Sequence, residues 1–150
     1  MAMRISLTID DLMSKKLKDL ADVSPKAFMR VLDGIAAETK TYVIARQRDQ
    51  FISRKRTLEK GTRYQRKSTT VKLQMRPRYQ VLEFGAVIKP VNAKALRWIG
   101  PDGNPIFAKR VLIKARPFFR PGVKDAIRAD VVNTVAERIY RAEAKKLGWL

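Results

Sequence analysis

Histidine and cysteine are both missing from the 150-residue sequence. Between them they supply the commonest general base, the commonest metal ligand and the thiolate nucleophile. Zinc sites of the usual kinds, cysteine chemistry and disulfides are therefore excluded. Neither G-x-x-x-x-G-K-[ST] nor G-x-G-x-x-G occurs, so the familiar phosphate-cradling loops are absent too. No apolar run approaches the ~20 residues of a membrane-spanning helix. Residues 1–10 do not show the order of charged, apolar and small residues of a signal peptide. The expectation is a protein used in the cytoplasm, or in a particle assembled there, with no cofactor and no membrane. Negative charge is scarce as well: 14 Asp and Glu stand against 33 Lys and Arg, a net charge of +19. Such an excess repels itself in a compact chain and points to an anionic partner.

What is present suits a globular protein. The hydrophobic content is 45% and the aromatic content 8%, and a chain of this size buries roughly 70% of its unfolded surface. A single domain over residues 1–150 is expected. Residues 4–9 alternate apolar and polar like a half-buried strand. Asp10 and Asp11 read as the cap of a short helix holding Leu12, Leu17 and Leu20. Ser24-Pro25 is a stronger start signal. From it Phe28, Val31, Leu32, Ile35, Thr39, Tyr42 and Val43 recur at helical spacing to about Phe51, with Gly34 expected to let another backbone approach closely. Strand-like segments follow over Val71–Met75, Tyr79–Phe84, Val87–Ile88, Ala95–Ile99 and Ile106–Lys114, with a dense turn signal at residues 100–105. Pro121 opens a last helix carrying Val123, Ile127, Val131, Val135 and Ile139 to about Leu147. The expected class is α+β: an antiparallel β-meander sheet packed by the long helix and the C-terminal helix.

Between the long helix and the strands, residues 53–68 read as a basic loop with Arg54, Lys55, Arg56, Lys60, Arg63, Arg66 and Lys67 against the single acid Glu59. Three roles stand open for it: phosphate contact weakened by salt, docking on an acidic protein, or plain solvation. Tyr64 is its only aromatic, thin for base stacking. The candidate partner or phosphate contacts are Arg54, Lys55, Arg56, Arg63, Arg66 and Lys67. The acids look structural. Asp10, Asp11, Asp125 and Asp130 sit at helix starts, where carboxylates suit the positive end of the dipole, and Glu83 reads as one half of an ion pair. Trp98 is expected to pack in the sheet, and Trp149 to anchor on a neighbouring surface.

A series of motifs runs through the second half: Glu83-Phe84-Gly85, then Ile88-Lys89-Pro90, Ala95-Leu96-Arg97-Trp98, Phe107-Ala108-Lys109-Arg110-Val111, and Ala115-Arg116-Pro117-Phe118-Phe119-Arg120-Pro121. Their order over about residues 80–130 resembles the head–tail connection and tail-completion proteins of long-tailed phages, the group that includes minor tail proteins of the lambda Z type. The R-P-F-F-R-P turn is the most specific piece. Gly122 departs from the pattern by standing in place of an alanine, and the T-G-x-L-x-x-S-I stretch of many relatives is absent. The resemblance implies structural roles for Glu83, Phe84, Gly85, Leu96, Trp98, Arg116, Pro117, Phe118, Phe119 and Pro121, with the two phenylalanines wedged between sheet and helix.

It also implies a function. The chain would be a non-enzymatic virion protein of the tail or neck, assembled in the host cytoplasm as a ring, with six or twelve copies as the expected number. The ring would complete the tail for joining to the head, touching other neck or tail proteins and DNA in passing. The alternative, drawn from charge alone, is a non-enzymatic nucleic-acid-binding module that uses the basic loop. A nuclease would need an acidic metal cluster, for which the sequence offers only Glu83 among basic neighbours.

Overall fold

A computed structural model of the chain describes residues 11–51, 57–67 and 70–150. In chain order the elements are α1 (Asp11–Val23), α2 (Pro25–Gln50), α3 (Thr57–Gly61), β1 (Thr62–Lys67), β2 (Thr70–Met75), α4 (Pro77–Phe84), β3 (Ala86–Ile88), β4 (Leu96–Ile99), β5 (Pro105–Ala108), β6 (Val111–Ile113), α5 (Phe119–Arg128) and α6 (Val131–Lys146). The α+β class holds, with the long α2 packed on the C-terminal helices. The described strands, however, form three separate two-stranded antiparallel ribbons, not one meander. The chain divides into two compact units: Met1–Met75 with Phe118–Leu150, and Arg76–Pro117. The strand expected over residues 4–9 and the cap at Asp10 lie outside the described residues.

The first unit is a helical core with one ribbon. In α1 the buried positions are Met13, Leu17 and Leu20, while Leu12 is exposed; the apolar stripe starts one residue later than expected. The Ser24 hydroxyl caps α2 by accepting from the Ala27 N–H at 3.3 Å, and Pro25 occupies a first-turn position that needs no donor. Every fourth residue of α2 is then buried: Ala27, Val31, Ile35, Thr39, Val43 and Gln47. Phe28 and Tyr42 pack at the margin of the core.

Two glycines set how closely the helices approach. A Cβ on Gly122 would lie 2.6 Å from the Val43 Cα, so α5 meets the backbone of α2 where an alanine would collide. At Gly34 the close neighbours are the side chains of Ile139 and Val135, not another backbone. The single C-terminal helix expected from Pro121 is two. Helix α5 begins earlier, at Phe119, and the chain turns a corner at Asp130, whose φ of 51° and ψ of 37° are left-handed. Aspartate tolerates that conformation better than most residues, and Asn133 Nδ2 donates to its Oδ1 at 2.9 Å.

The acids expected as caps act mostly otherwise. Asp130 precedes α6 but makes no side-chain capping bond. Asp125 lies inside α5 and accepts from Arg46 Nε at 2.6 Å. Ion pairs Arg30–Glu143 at 2.9 Å and Lys16–Glu137 at 3.1 Å add α2–α6 and α1–α6 links. Their cations hold all three carboxyls below the usual range: Arg46 for Asp125, Arg141 and then Lys16 for Glu137, and Lys146 and then Arg30 for Glu143.

The second unit contains α4 and four short strands. Tyr79–Phe84, expected as a strand, is helical. Arg76 is extended (φ −57°, ψ 137°) and Pro77 stands in the first turn, the proline start signal that also opens α2. Gly85 ends α4 at a φ of 75°, with the Ile113 carbonyl oxygen only 2.8 Å from where a Cβ would stand. The Arg116 N–H then donates to the Leu82 carbonyl at 2.7 Å. Strands β3 and β6 pair from Ala86↔Ile113 to Ile88↔Val111, and β4 and β5 from Leu96↔Ala108 to Ile99↔Pro105. The expected strand Ile106–Lys114 is thus split at Lys109-Arg110. Residues 100–105 turn as expected: the Gly100 N–H donates to the Asn104 carbonyl at 2.8 Å. Asn104 donates from its side chain and backbone to Asp102, lowering that carboxyl's pKa.

Candidate functional site

Arg76–Pro117 keeps little of its apolar surface for itself. In an antiparallel pair, residues directly opposite share a face and alternate positions point to opposite sides. The β4–β5 register therefore puts Leu96, Trp98, Ile106 and Ala108 on one face and Arg97, Ile99, Pro105 and Phe107 on the other. Val87 pairs with Leu112 on one face of β3–β6, and Ala86, Ile88, Val111 and Ile113 share the other. Both sides of both ribbons are apolar, where an antiparallel ribbon ordinarily turns polar residues to water. Val87 is 53% exposed, Ile99 61%, Phe107 63% and Leu112 75%. Trp98, expected to be covered by a sheet, is itself 40% exposed. Exposed Lys89, Lys94, Arg97, Lys109 and Arg110 accompany these residues, and the Arg97 guanidinium lies 5.8 Å from the centre of the Phe107 ring. Chemically this is an exposed apolar surface with a basic border.

The residues singled out for charge do not form one loop. Residues 57–61 are helical and 62–67 are strand, leaving Arg54, Lys55 and Arg56 outside the described residues. Strand β1 pairs with β2 from Thr62↔Met75 to Lys67↔Thr70, so its alternate residues turn opposite ways. Arg66 pairs with Asp33 of α2 at 3.2 Å. Arg63 lies on the other face, exposed, with its Nε donating to the Lys60 carbonyl at 3.2 Å. Lys67 pairs with Thr70 at the end of the register. Strand pairing has thus divided a cluster that looked continuous in sequence. The start of β1 is pinned by Gln47 Nε2, which donates to Thr62 Oγ1 at 2.6 Å with both side chains buried.

The motif residues fall on both units. Glu83 is fully buried on α4, not in a strand, Phe84 is half exposed, and Gly85 holds its positive φ. Leu96 and Trp98 share one face of β4. Arg116 and Pro117 close the second unit, and Phe118 and Phe119 open the return to the first. Both phenylalanines are buried. Phe118 meets Phe51, at the C-terminal end of α2, edge-on at 5.6 Å between ring centres. Pro121 falls in the first turn of α5, where its missing donor costs no hydrogen bond. Trp149 is 38% exposed.

Sequence reasoning passed over Val87, Ile99, Phe107 and Leu112 as ordinary strand residues. The signal that marks them is apolar character on both faces of strands too few to cover one another. Among the described residues no three of His, Cys, Asp or Glu gather where a metal could sit, and no helix is long and apolar enough to cross a membrane. Compared with known protein families, curated proteins and solved structures, the chain matches none.

Proposed function

We propose that this protein is a structural assembly subunit, a tail-completion or neck protein of the tailed-phage type that acts as a ring at the end of the tail. The observation that carries the reading is the exposed apolar surface of Arg76–Pro117, where Ile99, Phe107 and Leu112 lie open to solvent. Burying such surface drives association, and in a ring each subunit offers it to a different patch on its neighbour, so the contact is heterologous and closes by rotation. The ordered motifs from Glu83-Phe84-Gly85 to the R-P-F-F-R-P turn support the same reading. So does the absence of histidine and cysteine from the sequence. On this reading the protein works by geometry, presenting one ring face to the tail and the other to the head side, with partners among the neck and tail proteins. Light scattering with negative-stain microscopy tests it: rings of six or twelve copies are expected, alone or on tail tubes. Monomers alone at every concentration, and none recruited to tail tubes, would overturn it.

A further inference from the structure

The β1–β2 ribbon offers two unlike faces. One, with Thr62, Met75, Leu73 and Arg66, is anchored on α2 through Gln47–Thr62 and Arg66–Asp33. The other carries Arg63 opposite Gln74 and Gln65 opposite Lys72, all four exposed, and Lys67 opposite Thr70 continues that register. No apolar residue stands on this face, and the sequence holds no Asp or Glu from Lys60 to Leu82.

We propose that this outer face binds duplex DNA, with the ribbon laid in the major groove and Arg63 and Lys72 on the phosphates. Protein partners are disfavoured because specific protein interfaces have an apolar centre, which this face lacks and the second unit has in plenty. Interfaces with DNA are more polar and far more positive. The fit is geometric as well. Strands of six residues span about 20 Å at ~3.4 Å per residue, and a major groove ~12 Å wide admits a two-stranded ribbon. Gln65 and Gln74 alternate across the strands with Arg63 and Lys72, so amides that both donate and accept face the base edges while the cations face phosphate. The anchoring on α2 holds the ribbon as a preformed surface. None of this depends on ring assembly.

The test is fluorescence anisotropy of the full chain with a labelled duplex of about 20 base pairs at rising salt, starting near 50 mM. Binding should weaken along a steep log–log line. The double variant R63Q/K72Q should lose about two units of slope, since each phosphate contact contributes ~0.9. K124Q/R128Q removes the same charge from the exposed face of α5 and should leave the slope unchanged. Circular dichroism checks that each variant folds; should the double variant fail, Lys72→Gln alone should remove about one unit. The proposal is overturned by no binding at the lowest salt, by equal slopes for the two double variants, or by equally tight binding of duplex RNA, whose major groove is too narrow for a ribbon. Polyglutamate competing as well as unlabelled duplex would also overturn it, as the mark of generic charge attraction.

Discussion

Two kinds of antiparallel ribbon occur in this chain, and they bury themselves by different means. The β1–β2 ribbon has an anchored side and a free side: Thr62 and Met75 are buried, while Arg63, Gln65, Lys72 and Gln74 face water. The ribbons of Arg76–Pro117 are apolar on both sides, and neither side is fully covered. The strands of the first are six residues long against three or four in the others, and the first has the long helix α2 of its own unit beside it. Strand pairing supplies hydrogen bonds in either case, but an isolated hairpin is marginal in water without a packed face. The first ribbon finds that face in its own chain; the second leaves Val87, Ile99, Phe107 and Leu112 exposed, and on the proposed reading a neighbouring subunit covers them.

On this contrast, the largest effect should come from putting charge on the open apolar faces. Phe107→Asp with Leu112→Asp should weaken assembly by about a thousandfold, the loss of two interface anchors at ~2 kcal/mol each. Sedimentation should then show monomers where rings are expected of the unaltered chain, while the main melting transition of the helical unit stays in place. A smaller and opposite pattern is expected from Gly122→Ala. Its Cβ would press on the Val43 backbone, costing about 1–3 kcal/mol of overpacking. That would appear as a lower melting temperature with assembly unchanged once the chain is folded. Ser24→Ala should remove the hydrogen bond to the Ala27 N–H at a cost of about 1 kcal/mol, again seen only in the melt.

The most gradual effect is that of acid. Asp125, Glu137 and Glu143 have folded-state pKa values lowered by their cations, so their contribution is complete above the unfolded carboxylate range and is lost as pH falls through the folded values. Thermal melts should be flat from neutrality to about pH 5 and decline below about pH 4. The decline should sit in the helical unit, where all three pairs link helices.

Part of this was legible before any coordinates. Ser24-Pro25 announced α2, since a capping hydroxyl and a proline at the first position act within one turn of chain. The turn at residues 100–105 was equally local. Tyr79–Phe84 reads as a strand because its apolar residues suit a strand or a helix alike, whereas Pro77 in the first turn makes it a helix. The corner at Asp130 left no warning, because a left-handed φ at one aspartate has no periodicity to break.

The candidate surfaces show the same division. Composition alone established the +19 charge, the absence of histidine and cysteine chemistry and the expectation of an anionic partner, since these follow from residue counts whatever the fold. Neighbouring residues alone placed the long helix and its cap. Only the tertiary structure decided that Arg66 pairs with Asp33 of α2 while Arg63 lies on the opposite face, because which face of a strand meets a helix depends on what packs against it. Only the tertiary structure decided that Val87, Ile99, Phe107 and Leu112 remain open. An apolar side chain reads the same in sequence whether its cover comes from its own chain or from another, and burial is a property of neighbours far away along the chain.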